Sequence, residues 1–217
     1  MHRPSLDLFE RNLHFESPSP RANAFAVLGA SEVLAATPAH APTVEALKRW
    51  VRLLPLSEDP VWPWPEARLA YDNARFPEAL MAAGEALADD RLLQAGIRTL
   101  EWLVSTETRD GRFSYTPTGG WGPGEPRPGF DQQPVETAAM ADACARAWSL
   151  TGDDQWRDRV LDAAHWLVGD NDGDTVLYDF DTGGCCDGLT PNGANLNQGA
   201  ESTLAALSTL QRAALVA

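Results

Sequence analysis

Lysine is nearly absent from this 217-residue sequence, in which Lys48 is the single lysine beside sixteen arginines. Aspartate and glutamate number 31 against 17 basic residues, which gives a formal net charge of −14 at pH 7. So acidic a surface repels nucleic-acid phosphates and anionic lipid headgroups, because both are bound through basic side chains. We therefore expect neither nucleic acid nor a membrane as a partner.

Cysteines and long apolar runs are also scarce. The three cysteines are an odd set, and Cys185 and Cys186 are adjacent, which is a poor basis for a disulfide framework. The N-terminal stretch carries charges throughout without an apolar signal core, and nowhere do about 18 apolar residues run together. These absences predict a cytoplasmic protein that is neither secreted nor membrane-spanning. His165 and the cysteines lack metal-binding spacing, so we predict no metal and no cofactor.

A repeat of about 64 residues organises the chain. Asp72, Glu136 and Glu201 recur along it, each after a Gly/Pro-rich stretch and at the start of a helix-like run. The same shift aligns E-W-L-V-S at 101–105 with H-W-L-V-G at 165–169. Units repeated at a fixed period bury their apolar faces only against their neighbours. Equivalent positions lie at one end of such a stack, so we expect the three carboxylates to face a common space.

Each repeat has the pattern of an antiparallel helical pair. The second helix of a pair is amphipathic, as Leu93, Ile97 and Leu100 show by their helical spacing, whereas the first is Ala-rich nearly all round, which suits an inner position. The pattern predicts a single domain over residues 1–217, all-α, in which helical hairpins form a partial or small α/α toroid. The predicted hairpin units cover about 21–54, 73–105 and 134–168, with a half unit at 199–217.

The loops between these pairs are long, with about 17, 28 and 30 residues, far above the usual helix–helix connection. All three are expected at one end of the bundle, where long structured loops on a rigid scaffold usually carry function. Groups that suit a sugar crowd the loop–helix junctions, because carboxylates and amides bond hydroxyls and flat aromatic rings cover the C–H faces of a pyranose. The candidate substrate-binding residues are Trp62, Trp64, Glu66, Tyr71, Asn73, Arg75, Trp121, Gln132, Gln133, Asp187, Asn195 and Gln198.

Four carboxylates are candidates for acid/base chemistry: Asp131, Glu136 and Glu201, with Asp72 assisting. A structural role competes with this interpretation for each of them. Glu136 follows a proline suited to the first helical position, where an acidic side chain complements the helix dipole, and Asp72 with Asn73 is a plausible capping pair. Three coincidences in register, each with extra amides, favour a shared site.

Several strings resemble a known family. W-P-W-P-E at 62–66, L-A-Y-D-N-A-R at 69–75, F-D-Q-Q-P at 130–134 and the segment 177–203 are similar to the α-helical toroid domain of bacterial proteins fused to, or encoded beside, glycosyltransferases. The resemblance covers about residues 17–212 and implies a six-hairpin glycosidase-like architecture, a role in carbohydrate metabolism and a glycosyltransferase partner. The chain departs from the pattern at Pro65, where an aromatic is expected, and in having three and a half hairpins.

Three functions are consistent with these residues. The first is a glycoside hydrolase acting on an oligosaccharide, in which one carboxylic acid protonates the leaving oxygen and a second carboxylate activates water or attacks the anomeric carbon. The second is a non-catalytic glycan-binding or scaffolding module beside a glycosyltransferase. The third is a sugar epimerase or lyase, which needs a proton-abstracting His or Tyr, yet none of the four histidines lies in the motif-rich loops.

Overall fold

The structure is a computed structural model that describes residues 3–217. Over this range it contains eight helices and two small antiparallel sheets. The helices are α1 (Arg3–Arg11), α2 (Pro20–Ala36), α3 (Ala41–Val51), α4 (Arg75–Leu87), α5 (Asp90–Thr106), α6 (Pro134–Thr151), α7 (Asp154–Leu167) and α8 (Ala200–Val216). The strands are β1 (Thr108–Arg109), β2 (Arg112–Phe113), β3 (Gly188–Thr190) and β4 (Gly193–Asn195), paired as β1–β2 and β3–β4. The predicted all-α class of helical hairpins is confirmed.

The chain groups into two compact units. The first extends to Pro65 and resumes over Arg75–Thr99, and the second consists of Glu66–Ala74 and Leu100–Ala217. One boundary therefore falls inside α5, between Thr99 and Leu100. None of the helices between residues 3 and 217 is long and apolar enough to cross a membrane.

In the first unit, α2 packs against both α3 and α4 around the buried Val27 and Leu47. Glycines allow α4 and α5 to approach closely, since a Cβ added at Gly84 would lie 2.6 Å from the backbone nitrogen of Leu93. Helix α1 was not predicted. Its Phe9 ring meets the Trp50 ring edge-on, with the centroids 6.3 Å apart.

In the second unit, α6, α7 and α8 pack against one another. Small residues of α6 are fully buried, as the Ala-rich pattern predicts for an inner helix, and the hydroxyls of Thr137 and Thr209 lie 2.9 Å apart between α6 and α8. The long loops of this unit are ordered by hydrogen bonds. The fully buried Asn171, for example, donates to the carbonyls of Trp166 and Thr175, each at 2.8 Å.

Candidate functional site

A cavity of about 520 Å³ lies in the second unit, where the N-termini of α6 and α8 meet the β3–β4 hairpin. Its walls are mostly polar. The lining residues are Thr118, Asp131, Gln132, Gln133, Asp187, Gly188, Thr190, Asn195, Gly199, Ala200, Glu201 and Ser202. Six of these were among the predicted site residues, namely Asp131, Gln132, Gln133, Asp187, Asn195 and Glu201.

Two exposed carboxylates lie at this cavity. Asp131 belongs to the loop that leads into α6, and Glu201 belongs to the first turn of α8. Asp187 is a third lining carboxylate, and among the lining residues that the structure describes there is no lysine, arginine or histidine. The cavity therefore combines negative charge with amide and hydroxyl groups.

Asp187 fixes the helix that carries Glu201. Gly199 is the N-cap of α8 and has no side chain to accept the helix's free N–H groups. The Asp187 carboxylate instead binds the start of the helix, by accepting from the N-cap N–H of Gly199 at 2.8 Å and from the Ser202 hydroxyl at 2.8 Å, and it also accepts from the Asn197 amide. These bonds, that from Asn197 first, lower the pKa of Asp187. Because Asp187 directly precedes β3, it ties the hairpin to the first turn of α8.

Removing this carboxylate is expected to loosen the first turn of α8. We expect Asp187→Ala to lower stability by about 0.5–2 kcal/mol, as loss of an N-cap usually does, and Asp187→Asn, which keeps one acceptor oxygen, to lower it less. A depressed folded pKa stabilises the fold above the unfolded value of 3.8 and loses that effect as the pH falls through the folded pKa, so the deficit should shrink in acid. Thermal unfolding of the three proteins measures this, and equal midpoints at neutral pH would contradict it.

Gln132 connects several loops of the second unit through hydrogen bonds. Its buried side chain accepts from the Tyr115 N–H at 2.9 Å and the Trp166 indole at 3.2 Å, and it donates to the Gly129 carbonyl and the Asp172 carboxylate, each at 2.6 Å. Its backbone also exchanges two hydrogen bonds with Leu189. The two donors and the oxygen of the amide are thus engaged by protein groups. Gln132 holds in place its neighbour Asp131.

Glu136 and Asp72 are buried, unlike Glu201. The Glu136 carboxylate accepts from the backbone N–H groups of Asp72 at 2.5 Å and Asn73 at 3.2 Å. Burial, then the negative charge of Glu107, raises the pKa of Glu136 well above its ordinary value. Glu107 is itself buried, and burial raises its pKa as well. The structure thus brings two of the recurring carboxylates together as a link between Glu66–Ala74 and α6, and it places Glu201 at the cavity.

The remaining predicted residues of the second unit have mixed environments. Asn73 is fully buried and accepts from the Ala70 N–H at 3.0 Å, whereas Tyr71 is 48% exposed. Trp121 is half-buried, and its indole donates to the Glu125 carbonyl at 3.0 Å. Gln198 is exposed and donates to the Asp179 carboxylate at 3.2 Å. Glu66 is half-buried.

Three predicted residues belong to the first unit. Trp64 is 2% exposed and meets the Phe76 ring edge-on at 5.5 Å between centroids, so its faces are covered by the core of that unit. Arg75 donates to the Glu78 carboxylate at 2.7 Å. The carbonyl of the half-buried Trp62 accepts from the Ser57 hydroxyl at 3.0 Å.

Thr118, Thr190 and Ser202 also line the cavity, although they were not among the predicted site residues. A signal existed for the hairpin that brings Thr190 there. Pro191 and Asn192 form the two-residue loop between β3 and β4, and proline and asparagine are both typical turn residues. Gly193, which begins β4, has a positive φ of +107° that favours glycine. Glu107 was also missed, and its position just after α5 carries no comparable signal.

No protein-family model and no curated protein matches the sequence. A search of solved structures finds a similar fold in a GH76 α-mannanase of Bacteroides thetaiotaomicron, determined as a selenomethionine derivative, with a TM-score of 0.57 and 16% sequence identity. The match covers 91% of this chain and 58% of that one, so the chain spans little more than half of the mannanase. The likeness supports an α/α-toroid fold for this chain.

Proposed function

We propose that the protein is a glycoside hydrolase whose cavity holds one sugar unit between Asp131 and Glu201. The observation that carries this proposal is that both carboxylates are exposed and line the same cavity of about 520 Å³. The glycosidase-like fold supports it. One of the two protonates the leaving oxygen, and the other activates a water molecule or attacks the anomeric carbon.

The other lining groups orient the sugar. Gln133 and Asn195 each offer an amide, and Thr118 and Thr190 each offer a hydroxyl, so the wall presents both donors and acceptors to sugar hydroxyls. Asp72 and Glu136 support the site indirectly in this proposal, since the segment that contains Asp72 is hydrogen-bonded to Glu136 of α6. Tyr71 and Trp121 remain candidates for contacts to more distant parts of a substrate.

The charge of the cavity selects the substrate class. Three carboxylates repel an anionic sugar, and no basic group of the described lining offsets them. We infer that the substrate is a neutral glycan. Because the structural neighbour is an α-mannanase, α-linked mannose oligosaccharides are the first compounds to test.

A panel of oligosaccharides tests this proposal. We expect release of new reducing ends from at least one neutral member of a mannose, glucose and galactose series, and at most weak activity on uronic-acid oligomers of equal length. Added salt should raise the affinity for the uronic acids more than that for neutral sugars, because it screens the repulsion. Preferential cleavage of uronic-acid oligomers would refute the assignment of substrate class.

A glycan-binding module is the second candidate. The observation in its favour is that Glu136 and Asp72, two of the four predicted catalytic carboxylates, are buried, and that Glu136 accepts backbone N–H groups. In that case the cavity binds sugar without cleaving it. Measurable affinity for a neutral glycan by calorimetry, with no new reducing ends after prolonged incubation, would select the binding module, for which a glycosyltransferase partner stays a prediction.

A further inference from the structure

A tight turn in the second unit holds an aromatic ring in solvent. The turn, residues 179–184, is called the aromatic turn below. Phe180 within it is 72% exposed, and its ring stands perpendicular to the Tyr178 ring with the centroids 5.1 Å apart. A large apolar side chain so exposed is accessible to a ligand.

Hydrogen bonds make the aromatic turn rigid. The Asp179 carboxylate accepts from the N–H groups of Asp181 at 2.9 Å and Thr182 at 3.2 Å. The Asp179 backbone also exchanges two bonds with the end of the turn, from its N–H to the Gly184 carbonyl and from the Gly183 N–H to its carbonyl, each at 2.8 Å. Phe180 is therefore held by a closed loop, which lowers the entropic cost of presenting its ring to a ligand.

Two contacts join the aromatic turn, and the residue that follows it, to α8 and the segment that leads into α8. The Gln198 amide donates to the Asp179 carboxylate at 3.2 Å, and the Cys185 N–H donates to the Thr203 hydroxyl at 3.2 Å. Gly184 leaves the space that Gln198 occupies, since a Cβ there would lie 2.2 Å from the amide oxygen. Gln198 directly precedes Gly199, which lines the cavity. The turn is thus hydrogen-bonded to the residue that precedes a lining residue of the cavity.

We propose that the Phe180 ring is the platform of a second sugar subsite, which binds the pyranose next to the one in the cavity. The proposal rests on the proposed function and extends it, because it assigns the protein a substrate of at least two sugar units. The apolar C–H face of the second pyranose covers the phenyl ring, as flat aromatic surfaces favour. The neighbouring Asp181 and Thr182 offer polar groups to its hydroxyls.

The surroundings of Phe180 favour a sugar over a protein partner. The residues that flank it in the turn are Asp179 and Asp181, and Thr182 and Gln198 lie beside them. Cores of protein interfaces are depleted in such acidic residues and enriched in contiguous apolar ones. A single phenyl ring bordered by hydrogen-bond acceptors fits a pyranose, which has both apolar C–H groups and hydroxyls, better than it fits the core of a protein interface.

Dependence of affinity on chain length tests the subsite. Calorimetry with mannose, mannobiose and mannotetraose, and with the matching glucose series, gives the affinity of each protein. In the wild type we expect affinity for the better series to rise about two- to tenfold from monosaccharide to disaccharide, the gain of one aromatic contact. Phe180→Ala should abolish this rise and leave monosaccharide affinity unchanged. Phe25→Ala, which removes a 45% exposed phenyl from α2, is the matched control and should keep the rise.

The outcomes separate the subsite from the proposed function. A wild type that binds sugars equally well at every length, or a Phe180→Ala variant that keeps the rise, overturns the subsite alone. A wild type that binds neither of these series nor a matching galactose series overturns the neutral-glycan assignment beneath it. Light scattering adds one more check, because a dimer that Phe180→Ala converts to a monomer would make the ring a contact between copies and refute the subsite.

Discussion

Glu201→Gln is expected to reduce sugar cleavage by about 10²–10⁴-fold, the usual effect of removing an acid or base that transfers a proton. Glutamine keeps the shape and the hydrogen-bonding capacity of the side chain, but it neither takes up nor releases a proton at the pH of the assay. Since Glu201 is exposed in the first turn of α8, the substitution leaves packing unchanged. We expect substrate affinity and thermal stability to stay near wild-type values.

The initial rate of reducing-end release on the best neutral substrate measures this effect. Glu101→Gln is the matched control, because Glu101 is an exposed glutamate of α5 that lines a different groove, with Trp156 and Arg159. Asp131→Asn should show a loss of similar size, and the double variant should lose little more than either single one, since groups that act as a unit are not additive. A Glu201→Gln variant with wild-type turnover would remove Glu201 from the chemistry.

The helices were predictable because their signals are local. The stripe formed by Leu93, Ile97 and Leu100 predicted an amphipathic helix over about 90–105, and α5 covers Asp90–Thr106. Thr151-Gly152-Asp153 is a local signal for a helix stop followed by an N-cap, and in the structure Gly152 has a φ of +70° while Asp153 accepts from the Gln155 N–H. Each of these elements is determined by residues within two helical turns.

The environment of each site residue was not predictable, because it depends on contacts distant in sequence. Asp72, Glu136 and Glu201 occupy equivalent positions in the repeat, yet Glu136 is covered because Asp72 and Asn73, some 64 positions earlier, donate to it. Trp62 and Trp64 are one proline apart, but Trp62 is half-buried whereas Trp64 is buried and meets the Phe76 ring edge-on. The repeat predicts only which stretch of the fold a residue belongs to. Its burial depends on which loop residues contact it.

The buried environment of Glu136 has a measurable effect on stability. Its two carboxylate oxygens satisfy two backbone donors of the segment Glu66–Ala74, which is also paired to the next loop through Leu69 and Trp121. An amide has one acceptor oxygen, and its NH₂ group would face the second donor. Glu136→Gln therefore leaves one buried N–H without a partner, which costs about 1–3 kcal/mol.

We expect Glu136→Gln to lower the midpoint of thermal unfolding by about 2–12 °C, which is that free energy converted for a chain of this size. The loss of stability caused by Glu136→Gln should depend on pH. Because burial and the charge of Glu107 raise the folded pKa of Glu136, its proton stabilises the fold fully below the ordinary value of 4.5, and this effect is lost as the pH rises through the folded pKa.

Glutamine does not titrate, so the stability gap between wild type and Glu136→Gln should be widest near about pH 4 and narrow towards about pH 8. Thermal scans of both proteins across this range, with Glu101→Gln as the exposed control that should show no gap, measure the trend. Adding Glu107→Gln to both proteins removes the neighbouring charge and should flatten the pH dependence of the gap, because one cause of the raised pKa is gone. A gap that widens with pH would mean that Glu136 is held as a carboxylate in the folded protein, with its two N–H donors outweighing burial.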